Sequence, residues 1–176
     1  MHWEERLLAV FDDLEQQAEG LALGTRDAEL AELGRSEYAA VDLASRLHGA
    51  VGSRVRLGVR GVGALDGRLA RVGSDWMLLE TDPHEWLVRI AALDQVRGLG
   101  ERAVDPRHRA PTARLGLGSA LRGVAEERDP VLVHLLDGGT VRGTPRRVGA
   151  DFVELADPDG GVVVVALGAV AGARRG

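Results

Sequence analysis

Arginine is the residue type in this chain best suited to act on another molecule. All 22 basic residues are Arg, and the chain has neither Lys nor Asn. Arg54, Arg56, Arg60, Arg68 and Arg71 recur at intervals within a short stretch, and Arg142, Arg146 and Arg147 follow later. Alternation along strands would set several guanidinium groups on one solvated face, where they could hold phosphates. The plainer reading is a sheet face kept in water by the only cation this chain uses. A net charge of −5, a pI near 5.6 and the lack of aromatic residues between the arginines favour the plainer reading.

Other chemistry has less support. The five His residues, at positions 2, 48, 84, 108 and 134, share no i, i+4 spacing, and there is no Cys, so no metal site is expected. No nucleophile elbow or paired-carboxylate arrangement stands out, so the chain reads as a non-enzyme with no cofactor and no evident small-molecule substrate. Arg114-Leu115-Gly116-Leu117-Gly118 opens a helix but lacks the lysine and the preceding strand of a phosphate loop. Ala28 to Leu47 has the outline of a helix-turn-helix with Gly34 at the turn. Glu37 and Asp42 would lie on its recognition helix and repel phosphate, so a packing helix is the better reading.

The elements that must position these residues are repeated. Residues 55 to 80 and 131 to 156 align without a gap, with Val55/Val131, Gly67/Gly143, Arg71/Arg147, Val72/Val148, Gly73/Gly149, Asp75/Asp151 and Leu79/Leu155 identical and Trp76 against Phe152. After a two-residue slip the match resumes with Ala92-Leu93 against Ala166-Leu167, which sets Val163 against Arg89. A duplicated unit governs the architecture. Each copy shows period-two strands, as in Val55, Leu57 and Val59, broken by turns such as Gly73-Ser74-Asp75 and Asp137-Gly138-Gly139.

Ahead of the repeats, Trp3, Leu7, Val10 and Leu14 recur at four- and three-residue spacing, forming a helical seam for packing or self-association. Residues 1–48 therefore predict an acidic helical segment with helices at about 2–19 and 26–48. They carry 11 acidic and 4 basic residues, whereas residues 49–116 carry 8 and 11. Residues 49–100 predict the first small barrel and 101–112, with Pro106 and Pro111, a linker. Residues 113–176 predict a leading helix and the second barrel. The acidic start, the absence of Cys and the lack of a long apolar run predict a cytoplasmic protein with no membrane partner.

A leading helix, five bent strands, a glycine in the second strand and a Gly-x-Asp-aromatic step into the third resemble the Sm-like family among the SH3-like small barrels. Gly67, Leu69, Asp75, Trp76 and the Val88-to-Val96 segment carry the resemblance. Gly143, Asp151, Phe152 and Val163 to Val170 repeat it. The chain is also similar to two-barrel chains of actinobacterial type. The resemblance implies an α+β fold, with the N-terminal helical segment followed by two tandem five-stranded barrels, each led by a short helix. It also implies single-stranded RNA as a ligand, with Asp75 and Arg89 near the places of the family's RNA contacts. The family's Asn has no counterpart here. The nucleic-acid contacts to weigh are thus Arg56, Arg68, Arg71, Asp75, Arg89, Arg146 and Arg147. The function expected first is a binding or adaptor module for protein assembly, in which the two copies of one chain could join fourth strand to fifth strand as a built-in pseudo-dimer.

Overall fold

The computed structural model describes residues 32, 34–36 and 38–175. The first expected helix, with Trp3, Leu7, Val10 and Leu14, lies outside the described residues. The second does not run unbroken to residue 48. Described residues between 32 and 39 are helical, the chain turns at Ala40, and α1 starts afresh at Leu43–Gly49. Asp42 causes the restart. It is extended, and its carboxylate accepts the Ser45 N–H at 2.6 Å, so it caps a new helix rather than continuing the old one.

Ten strands follow: β1 Arg54–Val59, β2 Gly63–Val72, β3 Trp76–Glu80, β4 Glu85–Arg89, β5 Leu93–Arg97, β6 Val131–Leu135, β7 Thr140–Val148, β8 Phe152–Ala156, β9 Val162–Ala166 and β10 Val170–Arg175. A second helix, α2 Leu117–Glu127, stands between β5 and β6. The strand order is β5-β1-β2-β3-β4-β10-β6-β7-β8-β9. The expected two tandem five-stranded barrels are therefore corrected. All ten strands form one antiparallel sheet, because β4 of the first copy pairs with β10 of the second through Val88/Gly172, Leu87/Ala173 and Trp86/Arg174. The physical cause is the outer edge of β4, whose backbone groups and apolar Leu87 need covering, and β10 supplies both a ladder and a surface.

The duplication itself is regular in space. Within each copy the strand pairings correspond, so β2 and β7 each bend to serve one neighbour with their first half and another with their second. The repeated glycines lie where backbone and ring come close. A Cβ on Gly67 would strike the Glu80 carbonyl, and one on Gly73 or Gly149 would run into the ring of Trp76 or Phe152. The later part of the sequence alignment needs revising. Ile90 N–H donates to the Asp75 carbonyl as Leu167 N–H does to the Asp151 carbonyl, and Arg60 and Leu136 both donate to the alanines Ala92 and Ala169. The second copy thus has one residue more in its β8–β9 turn, not two fewer, and Ala166 rather than Val163 stands in the place of Arg89.

Two apolar cores exchange residues across the junction. The first gathers Leu47, Val55, Leu57, Leu69, Met77, Leu79 and Val88, and takes in Ala171 from β10. The second gathers Leu117, Leu121, Val131, Val133, Val153, Leu155, Val165 and Val170, and takes in Trp76 and Leu87 from the first copy. Burying Leu87 in this way contributes roughly 1.5–3 kcal/mol. Residues 101–112 pack rather than hang free. Val104 N–H donates to the Ser45 carbonyl, and the Arg109 guanidinium donates to the Ser45 hydroxyl at 2.6 Å.

Candidate functional site

Asp75 and Trp76 sit at the turn into β3, where the Gly-x-Asp-aromatic step put them. Their polar atoms are spent on the junction. Asp75 Oδ1 accepts the Leu117 N–H at 2.7 Å, capping the first turn of α2, whose own cap residue Gly116 has no side chain to do so. Trp76 Nε1–H donates to the Leu115 carbonyl at 2.9 Å, and Ser74 N–H reaches the same carbonyl at 3.2 Å. Arg89, at the end of β4, donates to the Gly168 carbonyl at 2.7 Å. Two of the residues singled out for binding, Asp75 and Arg89, thus fasten the first copy to the second, together with Trp76.

The other arginines are spread over the sheet. Arg68 on β2 is held by Glu80, and neighbouring Arg54 and Arg60 pair with Asp66 and Asp94. Arg56 on β1 lies opposite both Asp66 and Arg97 and lines a shallow hollow with Gly58 and Gln95. Arg71 stands on β2, whereas Arg146 and Arg147 lie on β7, with β3, β4, β10 and β6 between. Arg56, Arg71, Arg146 and Arg147 have no ion-pair partner among the described residues.

A groove of about 650 Å³ runs between α2 and the sheet at the junction. Trp76, Leu78, Leu87 and Val124 contribute apolar lining, while Arg68, Glu80, Glu127 and Arg175 contribute charge that is already paired. To meet an anion there Arg68 and Arg175 would each have to leave a carboxylate, whereas Arg71 and Arg174 on the same lining have no ion-pair partner among the described residues.

Two histidines elsewhere in the fold bind protons less readily than usual. The His134 ring lies tilted against Trp86 with centroids 5.0 Å apart, its Nε2 is buried without a partner, and burial followed by the Arg174 guanidinium pushes its pKa down. Burial, then Arg109, does the same to His48 on α1. No group of three His, Cys, Asp or Glu side chains that could hold a metal occurs among the described residues, and none of the described helices is long and apolar enough to cross a membrane.

Sequence reasoning passed over the outer edge of β9. Val162 and Val164 are 50% and 61% exposed, on a strand whose one neighbour is β8. β9 stands in the second copy where β4 stands in the first, and Val164 takes the place of Leu87, which is 7% exposed. The apolar run Val162 to Ala166 was legible, but its position at an edge was not. No protein-family model matches the chain, and no curated protein sequence matches it.

Proposed function

We propose that this chain is a non-enzymatic assembly module, a duplicated β unit that binds protein by taking a further strand onto its sheet. One observation carries the reading: the chain already joins its two copies by edge pairing at β4 and β10, and among the described residues no strand covers the equivalent edge of β9, where Val162 and Val164 stand in water. Several of the polar residues that a binding site for another class of ligand would use, Asp75, Trp76, Arg68 and Arg89, are instead engaged within the fold. A cytoplasmic setting goes with this reading and suits a chain without cysteine.

The second reading is a nucleic-acid-binding regulator, in keeping with the Sm-like resemblance. It is supported by the four arginines without ion-pair partners among the described residues. Fluorescence anisotropy with mixed RNA and DNA oligonucleotides at low and moderate salt separates the two. An assembly module gives no salt-sensitive signal. Binding that weakens steeply with salt and disappears in an Arg56→Glu/Arg71→Glu variant overturns the assembly reading.

A further inference from the structure

We propose that two copies of this chain join β9 to β9, antiparallel across a two-fold axis at Val164, so that one sheet runs through both. This inference rests on the assembly reading and names its partner. The internal junction shows what the edge requires. Where β4 meets β10, Leu87 lies opposite Ala173 and is buried; on β9 the corresponding Val164 is 61% exposed. An apolar residue at the place of a buried one, on an edge with no ladder partner among the described residues, marks a surface that another strand covers.

The candidates for that strand are the two edges of a second copy's sheet that are free among the described residues, β5 and β9. β5 is the counterpart of β10, and pairing β9 to β5 would repeat the internal junction head to tail. Its residues forbid the repeat. β10 brings Ala171, Gly172 and Ala173, and Ala171 is fully buried in the facing core. A Cβ on Gly172 would come within 3.0 Å of the Leu87 carbonyl. β5 has Asp94, Gln95 and Val96 at those places, as the shared hydrogen bonds to Ala92 and Ala169 fix the alignment. Docking β5 would force the larger Gln95 against the partner backbone. It would also carry the Asp94 carboxylate, now paired with Arg60 at 3.0 Å, into an apolar core. A charged edge of this kind blocks strand addition.

β9 has no such guard. Val162-Val163-Val164-Val165-Ala166 holds no charge and no proline, and in antiparallel self-pairing about Val164 it sets Val162 opposite Ala166 and Val163 opposite Val165. Because each copy uses the same strand, the contact closes on itself, and the open chain that head-to-tail pairing would build does not form.

The test uses the full chain and measures molar mass by light scattering and sedimentation from micromolar to submillimolar protein. The mass rises from 18.7 kDa towards twice that value and stops there. Val164→Lys holds it at the monomer with an unchanged circular dichroism spectrum, and Asp94→Ala leaves the dimer intact. Since the chain has no cysteine, Val164→Cys supplies the one thiol; opposite its own copy across the axis it oxidises to a linked dimer. Val162→Cys, facing Ala166 of the other copy, does not link. A monomer at every concentration, a mass that grows without limit, or a dimer that survives Val164→Lys overturns the proposal. Each of these leaves the assembly reading open to another partner or surface, whereas salt-sensitive oligonucleotide binding removes that reading itself.

Discussion

Asp75 shows how a residue that looks like a ligand contact can serve as a fastening. Its carboxylate takes the N–H of Leu117, which lies 42 positions away in sequence and would otherwise be one of the unsatisfied donors at the start of α2. Asp75→Ala should therefore destabilise the protein by about 1 kcal/mol, the ordinary cost of a lost N-cap. Thermal unfolding followed at 222 nm would show the loss, and Asp151→Ala, at the same place in the second copy, should lower the midpoint less. Trp76 makes two separable contributions. Trp76→Phe keeps a ring over Gly73 and removes the hydrogen bond to Leu115, at a cost of about 1 kcal/mol. Trp76→Ala also empties part of the second core and should cost roughly 3–5 kcal/mol. If the two variants melt alike, the ring is not contributing to that core.

At the scale of elements, the segment 101–112 and α1 stabilise each other. Arg109 has little of its side chain in water and donates to Ser45, with Asp42 at 3.5 Å beyond. Those two residues also cap α1, and the Ser45 hydroxyl and N–H hold the Asp42 carboxyl below its usual range. Arg109→Ala leaves the cap but strips the polar side of Ser45, and should destabilise by about 1–3 kcal/mol. Hydrogen exchange at Val104, whose N–H donates to the Ser45 carbonyl, should quicken more than exchange in β8; uniform quickening would mean that the segment does not act locally. The apolar sheet elements behave differently from this polar clamp. β4 and β10 each insert residues into the other copy's core, so the junction is part of the packing and not a hinge between finished units.

For the whole molecule, shared cores imply one cooperative transition. Calorimetry and tryptophan fluorescence should give coincident midpoints, and two resolved steps would show that the copies unfold independently. Acid should weaken the fold. His48 and His134 bind protons less readily when folded than when unfolded, so the unfolded chain takes up more protons below the usual value of 6.5. The stability they confer is complete above about pH 6.5 and declines as the pH falls towards their lower folded values. The Asp42 carboxyl acts in the same sense further down, its contribution being present above its ordinary value and lost as the pH drops through the folded one. A fall in melting temperature from about pH 7 to about pH 5, flattened by His134→Gln, would match this; an unchanged slope in that variant would place the titration elsewhere.

The amino-acid order alone was enough to show that a β unit occurs twice, that its strands alternate, and that glycine recurs in register at positions 67/143 and 73/149, where the structure shows a Cβ would collide. These are local requirements of pleat, bend and ring, repeated within a few residues of each other. It also placed Asp75 and Trp76 at the mouth of a strand. It did not tell that they face α2, because that contact spans some 40 residues. It offered the joining of a fourth strand to a fifth within the chain but did not decide between two separate barrels and one sheet, since the difference lies in whether β4 meets β10, and nothing local to either strand encodes its neighbour. The arginines were visible as a set, but only the folded chain shows Glu80, Asp66 and Asp94 arriving from other strands to neutralise part of it. The run Val162 to Ala166 was legible as a strand, but an apolar run has the same sequence at the centre of a sheet as at its edge. The tertiary structure alone decided that this run ends the sheet, and so which surface is left for a partner.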